Sequence, residues 1–216
     1  MYSFTTPYPY ILLLCAVISI GVVFFAGQRR ESRGAKQIIL LAVFITIWVV
    51  GNAFELSAVD FEIKRTWAQI EYFGIVFIPV VWFLFALSHS HRDVRITHYH
   101  VLGLCVIPLI TLVMVYTTDR TGLLWTQIAM KQDGALLYLD IHYGLWFWVH
   151  SAYSYGLIVV GTFMVLQTIG RRGGIFRRQT IVLLIAVFAP WVSNILYVLD
   201  ISPIPHVDIT PFTFIV

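Results

Sequence analysis

Asn52, Glu55, Glu71, His150, Asn194 and Asp208 stand inside or beside apolar stretches of a 216-residue chain. Such groups are costly there: a carboxylate at the centre of a bilayer costs about 2.5–3.5 kcal/mol on insertion scales. Their spacing is helical. Asn52 and Glu55 are three apart; Trp67, Glu71 and Gly74 follow i, i+4, i+7. Trp146, His150 and Tyr153 repeat that spacing, as do Pro190, Asn194 and Tyr197, with Trp191 alongside. Each set therefore shares one helix face. Indole walls with a few placed polar groups are the composition of a ligand pocket. Two carboxylates opposite a histidine and two asparagines suit a cation, an amine or a hydrogen-bonding organic molecule. A histidine beside a carboxylate would also titrate near neutral pH.

Each residue has a plainer reading as well. Trp and Tyr gather at membrane interfaces, so Trp67, Trp146, Tyr153 and Trp191 are also candidate anchors. Glu55 lies close enough to its helix end to snorkel to water. Asp208 is also a candidate helix cap. Glu71, His150 and Asn194 are also candidate partners in hydrogen bonds between helices.

The elements that must carry these residues are membrane spans. The chain is 59% hydrophobic and 12% charged, against about 25% charged in an ordinary soluble domain. At about 20 residues per span, its length holds six or seven. The apolar runs predict an all-α membrane protein, a seven-transmembrane bundle forming a single domain over 1–216. The spans are expected at about 8–27, 37–58, 67–88, 98–116, 145–170 and 179–199. A seventh begins at 209, with Asp208 or Thr210 as cap and Pro211 in the first turn. Only residues 212–216 follow, so the chain is expected to stop inside that helix.

Basic residues set the orientation. Arg29, Arg30, Arg33, Lys36, Arg92, Arg95, Arg171, Arg172, Arg177 and Arg178 fall on one side; Lys64, Arg65, Arg120 and Lys131 fall on the other. Ten against four puts the N-terminus outside, the C-terminus in the cytoplasm, and every candidate site residue in the outer half. The long outer loop, 117–143, contains Asp133-Gly134, a favoured hairpin turn pair. A short β-hairpin over the outer mouth is predicted.

Catalytic motifs are absent: there is no H-E-x-x-H, G-x-S-x-G or phosphate-binding glycine loop. No catalytic residue, metal or cofactor is expected, and nothing suggests nucleic acid. Cys15 and Cys105 lie in apolar runs and form no disulfide framework. His89, His91, His98 and His100 around Arg92-Asp93 are poorly spaced for a metal and read as a solvated loop near lipid headgroups. A transporter would need a polar path through the inner half, which is almost purely apolar. A membrane-integral metal-dependent hydrolase would have to use that histidine loop. Lys36, Lys64 and Lys131 lie in loops or at span edges, which disfavours a retinal Schiff base.

From Trp67 through Glu71-Tyr72-Phe73-Gly74 to Pro79, Trp82, Phe85 and Leu87 the chain resembles the third helix of the N-terminal seven-transmembrane sensor domain of prokaryotic histidine kinases. The resemblance continues in order through Trp125, the stretch from Gly144 to His150, Tyr153-Ser154-Tyr155, Gly161, Arg178-Gln179, Pro190-Trp191, Asn194, Tyr197 and Asp208-Ile209-Thr210-Pro211. It implies a sensor placed before a cytoplasmic kinase or PAS module in the same chain, working as a homodimer. The combined expectation is a small-molecule receptor. Ligand binds from the extracytoplasmic side at Asn52, Glu55, Trp67, Glu71, Trp146, His150, Tyr153, Trp191, Asn194 and Asp208. The seventh helix carries the signal inward, with Pro190 allowing a bend.

Overall fold

The computed structural model describes residues 1–4, 6–29, 31, 34–90, 97–169, 175–199 and 201–215, with backbone only for 169, 175–180 and 215. The basic residues Arg30, Arg33, Arg92, Arg95, Arg171 and Arg172, together with His91 and Asp93, lie outside the described residues. So do the side chains of Arg177, Arg178 and Gln179.

Long apolar sequences give long helices. The chain runs α1 (Tyr8–Gln28), α2 (Ala35–Ser57), α3 (Phe61–Ile75), α4 (Ile78–His89), α5 (His98–Tyr116) and a single turn α6 (Thr118–Thr121). Strands β1 (Trp125–Asp133) and β2 (Leu136–Tyr143) follow, then α7 (Leu145–Ile169), α8 (Ile175–Val198) and a 3₁₀ helix, Thr210–Ile215. Among the described residues six segments are long and apolar enough to cross a membrane, α3 and α4 together making one of them. Large apolar side chains such as Val17, Phe24, Leu109, Phe163 and Val182 point outward from these helices, as lipid contact requires. The segment expected to open a seventh spanning α-helix is the 3₁₀ helix in the described residues.

Local chemistry fixes the ends and breaks. Asp60 caps α3, its Oδ1 accepting from the amides of Glu62 and Ile63 at 3.0 and 3.1 Å, so this helix starts at Phe61 rather than near Trp67. The run expected as one unbroken helix stops at Ile75 and restarts at Ile78, with Pro79 in the first turn of α4. A proline ring crowds the carbonyl four residues back and donates no hydrogen bond, which accounts for a break here. Pro190, where a bend is expected, lies inside α8. Thr97 and His100 form a reciprocal capping box at the start of α5, which gives one member of the histidine loop a structural task.

The hairpin pairs Trp125 with Tyr143 at its base and Asp133 with Leu136 at its tip. Its two-residue loop is thus Gly134-Ala135, one position beyond the expected Asp133-Gly134. Gly134 has φ +58°, the left-handed conformation that a first loop residue needs in a turn matched to strand twist. Near the tip Lys131 Nζ lies 2.6 Å from Asp140 Oδ2, and this ammonium holds the Asp140 carboxyl below its usual range.

The helices that matter most for the site are α2 and α3, antiparallel across the short turn 58–60. Gly74 lies where an added Cβ would run into Phe44 O and the backbone of Trp48; at Gly51 it would meet Glu71 Cγ at 2.6 Å. Small residues let the two backbones approach closely. At the other side of α2, Ser19 of α1 donates to Ala42 O at 2.9 Å and accepts from Thr46 Oγ1 at 2.9 Å.

Candidate functional site

A cavity of about 450 Å³ lies between α2, α3, α4, α7, α8, the hairpin and the 3₁₀ helix. Its polar end is nearest the hairpin. Asn52 and Glu55 come from α2, Glu71 from α3, His150 and Ser154 from α7, Trp191 and Asn194 from α8, and Asp208 and Thr210 from the C-terminal segment. Its other end is apolar, walled by Ile38, Leu41, Ile45, Ile78, Ile158, Leu183 and Val187. On α2 the lining positions 38, 41, 45, 48, 52 and 55 form one helical stripe.

Seven of the ten residues expected at the site line this one cavity: Asn52, Glu55, Glu71, His150, Trp191, Asn194 and Asp208. Trp67, Trp146 and Tyr153 do not. Trp67 stacks on Phe54 with centroids 4.8 Å apart and donates to Tyr2 OH at 2.9 Å. Trp146 Nε1 donates to Thr111 Oγ1 at 3.0 Å, and Tyr153 OH donates to Leu104 O at 2.5 Å. The face of α7 carrying 146, 150 and 153 thus packs on α5. The cavity face is turned toward 147, 151, 154 and 158, and His150 lies where the two meet.

His150 has no carboxylate beside it, against expectation. Nδ1 is 3.2 Å from Thr111 Oγ1 and Nε2 is 3.2 Å from Ser154 Oγ, so hydroxyls engage both ring nitrogens. The acid–base pairing occurs elsewhere. Lys64, expected on the outer surface, is fully buried, with Nζ 3.2 Å from Glu55 Oε1 and 2.5 Å from Glu55 O. The ammonium answers both the side chain of Glu55 and its carbonyl in the last turn of α2, which also accepts from Ala58 N at 3.2 Å.

Glu71 is held differently. Its Oε2 accepts from Asn52 Nδ2 at 3.5 Å, whereas Oε1 and Asn52 Oδ1 have no protein partner. The indole nitrogens of Trp48 and Trp191 share this lack, and both residues line the cavity. A buried polar atom without a partner costs about 1–3 kcal/mol. Their concentration around one space is what a polar occupant would relieve. Tyr155 OH donates to Asn194 Oδ1 at 2.8 Å, joining α7 to α8.

Asp208 lies outside the spanning helices. Its Oδ1 accepts from Thr210 N at 2.9 Å, so it caps the 3₁₀ helix as well as lining the cavity. Burial pushes its carboxyl from 3.8 up to about 6. The folded chain therefore keeps this proton over a range where the unfolded chain has released it. Stability is expected to fall as pH rises from near 3.8 toward about 6 and to level off above that range. Asp208→Asn is expected to abolish this part of the fall, as read by thermal unfolding in detergent across the same pH range.

Several lining residues are not among those expected at the site: Trp48, Tyr72, Trp125, Tyr138, Tyr143, Tyr155, His206 and Phe214. Two signals pointed to some of them. Trp48 continues the stripe of Asn52 and Glu55 one turn down. Leu139, Ile141 and Tyr143 alternate along β2 and so share a face. His206, at φ +62°, stacks on Tyr138 with centroids 4.1 Å apart, tying the hairpin to the segment before the 3₁₀ helix. Among the described residues no group of three His, Cys, Asp or Glu could hold a metal ion.

Among the described residues, six helical segments long and apolar enough to cross a membrane, four of them lining one polar-headed cavity, mark a multi-pass helical membrane protein. The chain belongs to the family described as the N-terminal 7TM region of histidine kinase, whose sequence pattern matches residues 11–216. That region is the sensor part of such kinases and is associated with an output module in the same chain. No curated protein matches the chain in sequence.

Proposed function

We propose that this domain receives a small molecule from the extracytoplasmic side, in the cavity between α2, α3, α7 and α8, and passes the event to a cytoplasmic histidine kinase module. One observation carries this reading: Thr210 and Phe214 of the C-terminal 3₁₀ helix line the same cavity as Asn52, Glu71 and His150. An occupant would touch the segment that leads out of the domain. That segment is also coupled to the bundle, since Phe214 packs edge-on against Trp48 at 5.5 Å and Phe212 against Tyr8 at 6.2 Å. A ligand moves such an equilibrium only through its different affinity for two packings. Contacts made directly with the 3₁₀ helix supply that difference.

The hairpin end is read as outside. Arg29 and Lys36, at the α1–α2 connection, lie at the opposite end of α2 from Glu55, and positive residues favour the cytoplasm. The homodimer and the continuation into a seventh spanning helix belong to the same proposal. The test is to fill the cavity without altering its polar groups. Ala186 lines it, and Ala186→Trp in the kinase carrying this domain is expected to change autophosphorylation several-fold. Unchanged output from a folded variant would remove the reading.

A further inference from the structure

We infer that the cavity takes an amphiphilic organic cation, with its ammonium head at Glu71 and Asp208 and its apolar body reaching toward α4 and the lower part of α8. This rests on the sensing role proposed above and specifies the chemical class sensed.

Charge balance is the first ground. Three carboxylates line the cavity, and Lys64 forms an ion pair with only one of them, Glu55. Among the described residues neither Glu71 nor Asp208 forms an ion pair. One ammonium against three carboxyl groups leaves the lining short of positive charge; an anionic head would worsen that imbalance, and a cation relieves it.

Unmet acceptors are the second ground. Glu71 is 7% exposed and Asn52 6%, and Glu71 Oε1 and Asn52 Oδ1 are without partners. Both lack a donor if the carboxylate is ionised. An alkylammonium brings up to three N–H donors and the missing charge together. The surrounding rings, among them Trp48, Tyr72, Trp191 and Tyr155, offer faces that attract a desolvated cation.

The third ground is the gradient along the cavity. On α2 the lining changes from Asn52 to Ile38 over about 21 Å at 1.5 Å per residue. The deep part carries isoleucine, leucine and valine. An inorganic ion would leave that part unused, and the described residues offer no three-ligand metal group. A cationic head on a hydrocarbon body uses both ends.

The experiment titrates the purified chain with n-hexylamine, n-hexanol and n-hexanoate, which share a tail and differ in the head. Tryptophan fluorescence reports binding, since Trp48 and Trp191 line the cavity. The amine is expected to bind ~10–100-fold more tightly than the alcohol, and hexanoate more weakly than either. Glu71→Gln and, separately, Asp208→Asn are expected to bring the amine down toward the alcohol while thermal unfolding confirms that each variant folds. Equal affinity for amine and alcohol, preference for hexanoate, or amine binding untouched in both folded variants would overturn the inference. So would an absence of amine binding. Each of those results leaves the cavity-filling test of kinase output unaffected, so the two claims fail separately.

Discussion

Lys64→Met is expected to destabilise the bundle by about 3–5 kcal/mol, the usual cost of breaking a buried ion pair on one side. Lys64 has no exposed surface and Glu55 has 8%. Removing the ammonium leaves the Glu55 carboxylate uncompensated and deprives Glu55 O of its 2.5 Å donor. Methionine roughly preserves the stem, so cavity formation contributes little. Adding Glu55→Gln to Lys64→Met removes the stranded charge and is expected to recover much of the loss, leaving the carbonyl with Ala58 N as its remaining donor. Unfolding of the single and double variants in detergent separates the two contributions. A single variant as stable as wild type would show that the pair does not hold α2 to α3.

Gly74→Ala is the second large effect. The added methyl meets Phe44 O and the main chain of Trp48, and backbone has no alternative rotamer. Overpacking of a close-packed contact costs about 1–3 kcal/mol, and a backbone obstacle puts this case at the upper end. The consequence reaches the site, because Trp48 is itself a cavity wall. Gly51→Ala makes the contrast. Its methyl meets the Glu71 side chain, 2.6 Å from Cγ, so relief requires a change of the Glu71 rotamer rather than of a backbone. A smaller stability loss with a larger change in ligand response is expected there. Unfolding midpoints and ligand titrations of the two variants distinguish these outcomes; equal losses of stability would contradict the packing argument.

These two positions also show what the sequence could reveal. Polar residues at helical spacing inside apolar runs identify α2, α3, α7 and α8 as site-bearing, and seven of ten chosen side chains share one cavity. Rotation of a helix about its axis is less legible. In α7, positions 146, 150 and 153 form a valid face, but Thr111 and Leu104 of α5 occupy it, so the cavity sees Phe147 and Ser154 instead. That choice depends on which neighbour packs where, which no single helix encodes. The burial of Lys64 departs from expectation for a related reason. The positive-residue rule counts charges by loop, and Lys64 is near one. The turn at 58–60 brings α3 back along α2, setting Lys64 opposite Glu55. A lysine and a glutamate placed on either side of so short a turn were the available signal. The break before Pro79 was similarly open to inspection, since a proline with an apolar stretch on both sides marks a candidate interruption.

In the proposed mechanism the interior cavity sets the state of the C-terminal 3₁₀ helix. Autophosphorylation of the full kinase in lipid vesicles tests it most directly, comparing Ala186→Trp with Ile185→Trp. Ala186 lines the cavity, whereas Ile185 is 54% exposed on the outside of α8. The two carry the same added bulk on adjacent residues. If both variants fold, Ala186→Trp is expected to hold kinase output several-fold away from wild type, and Ile185→Trp to leave it unchanged. Wild-type output from a folded Ala186→Trp kinase would contradict the claim.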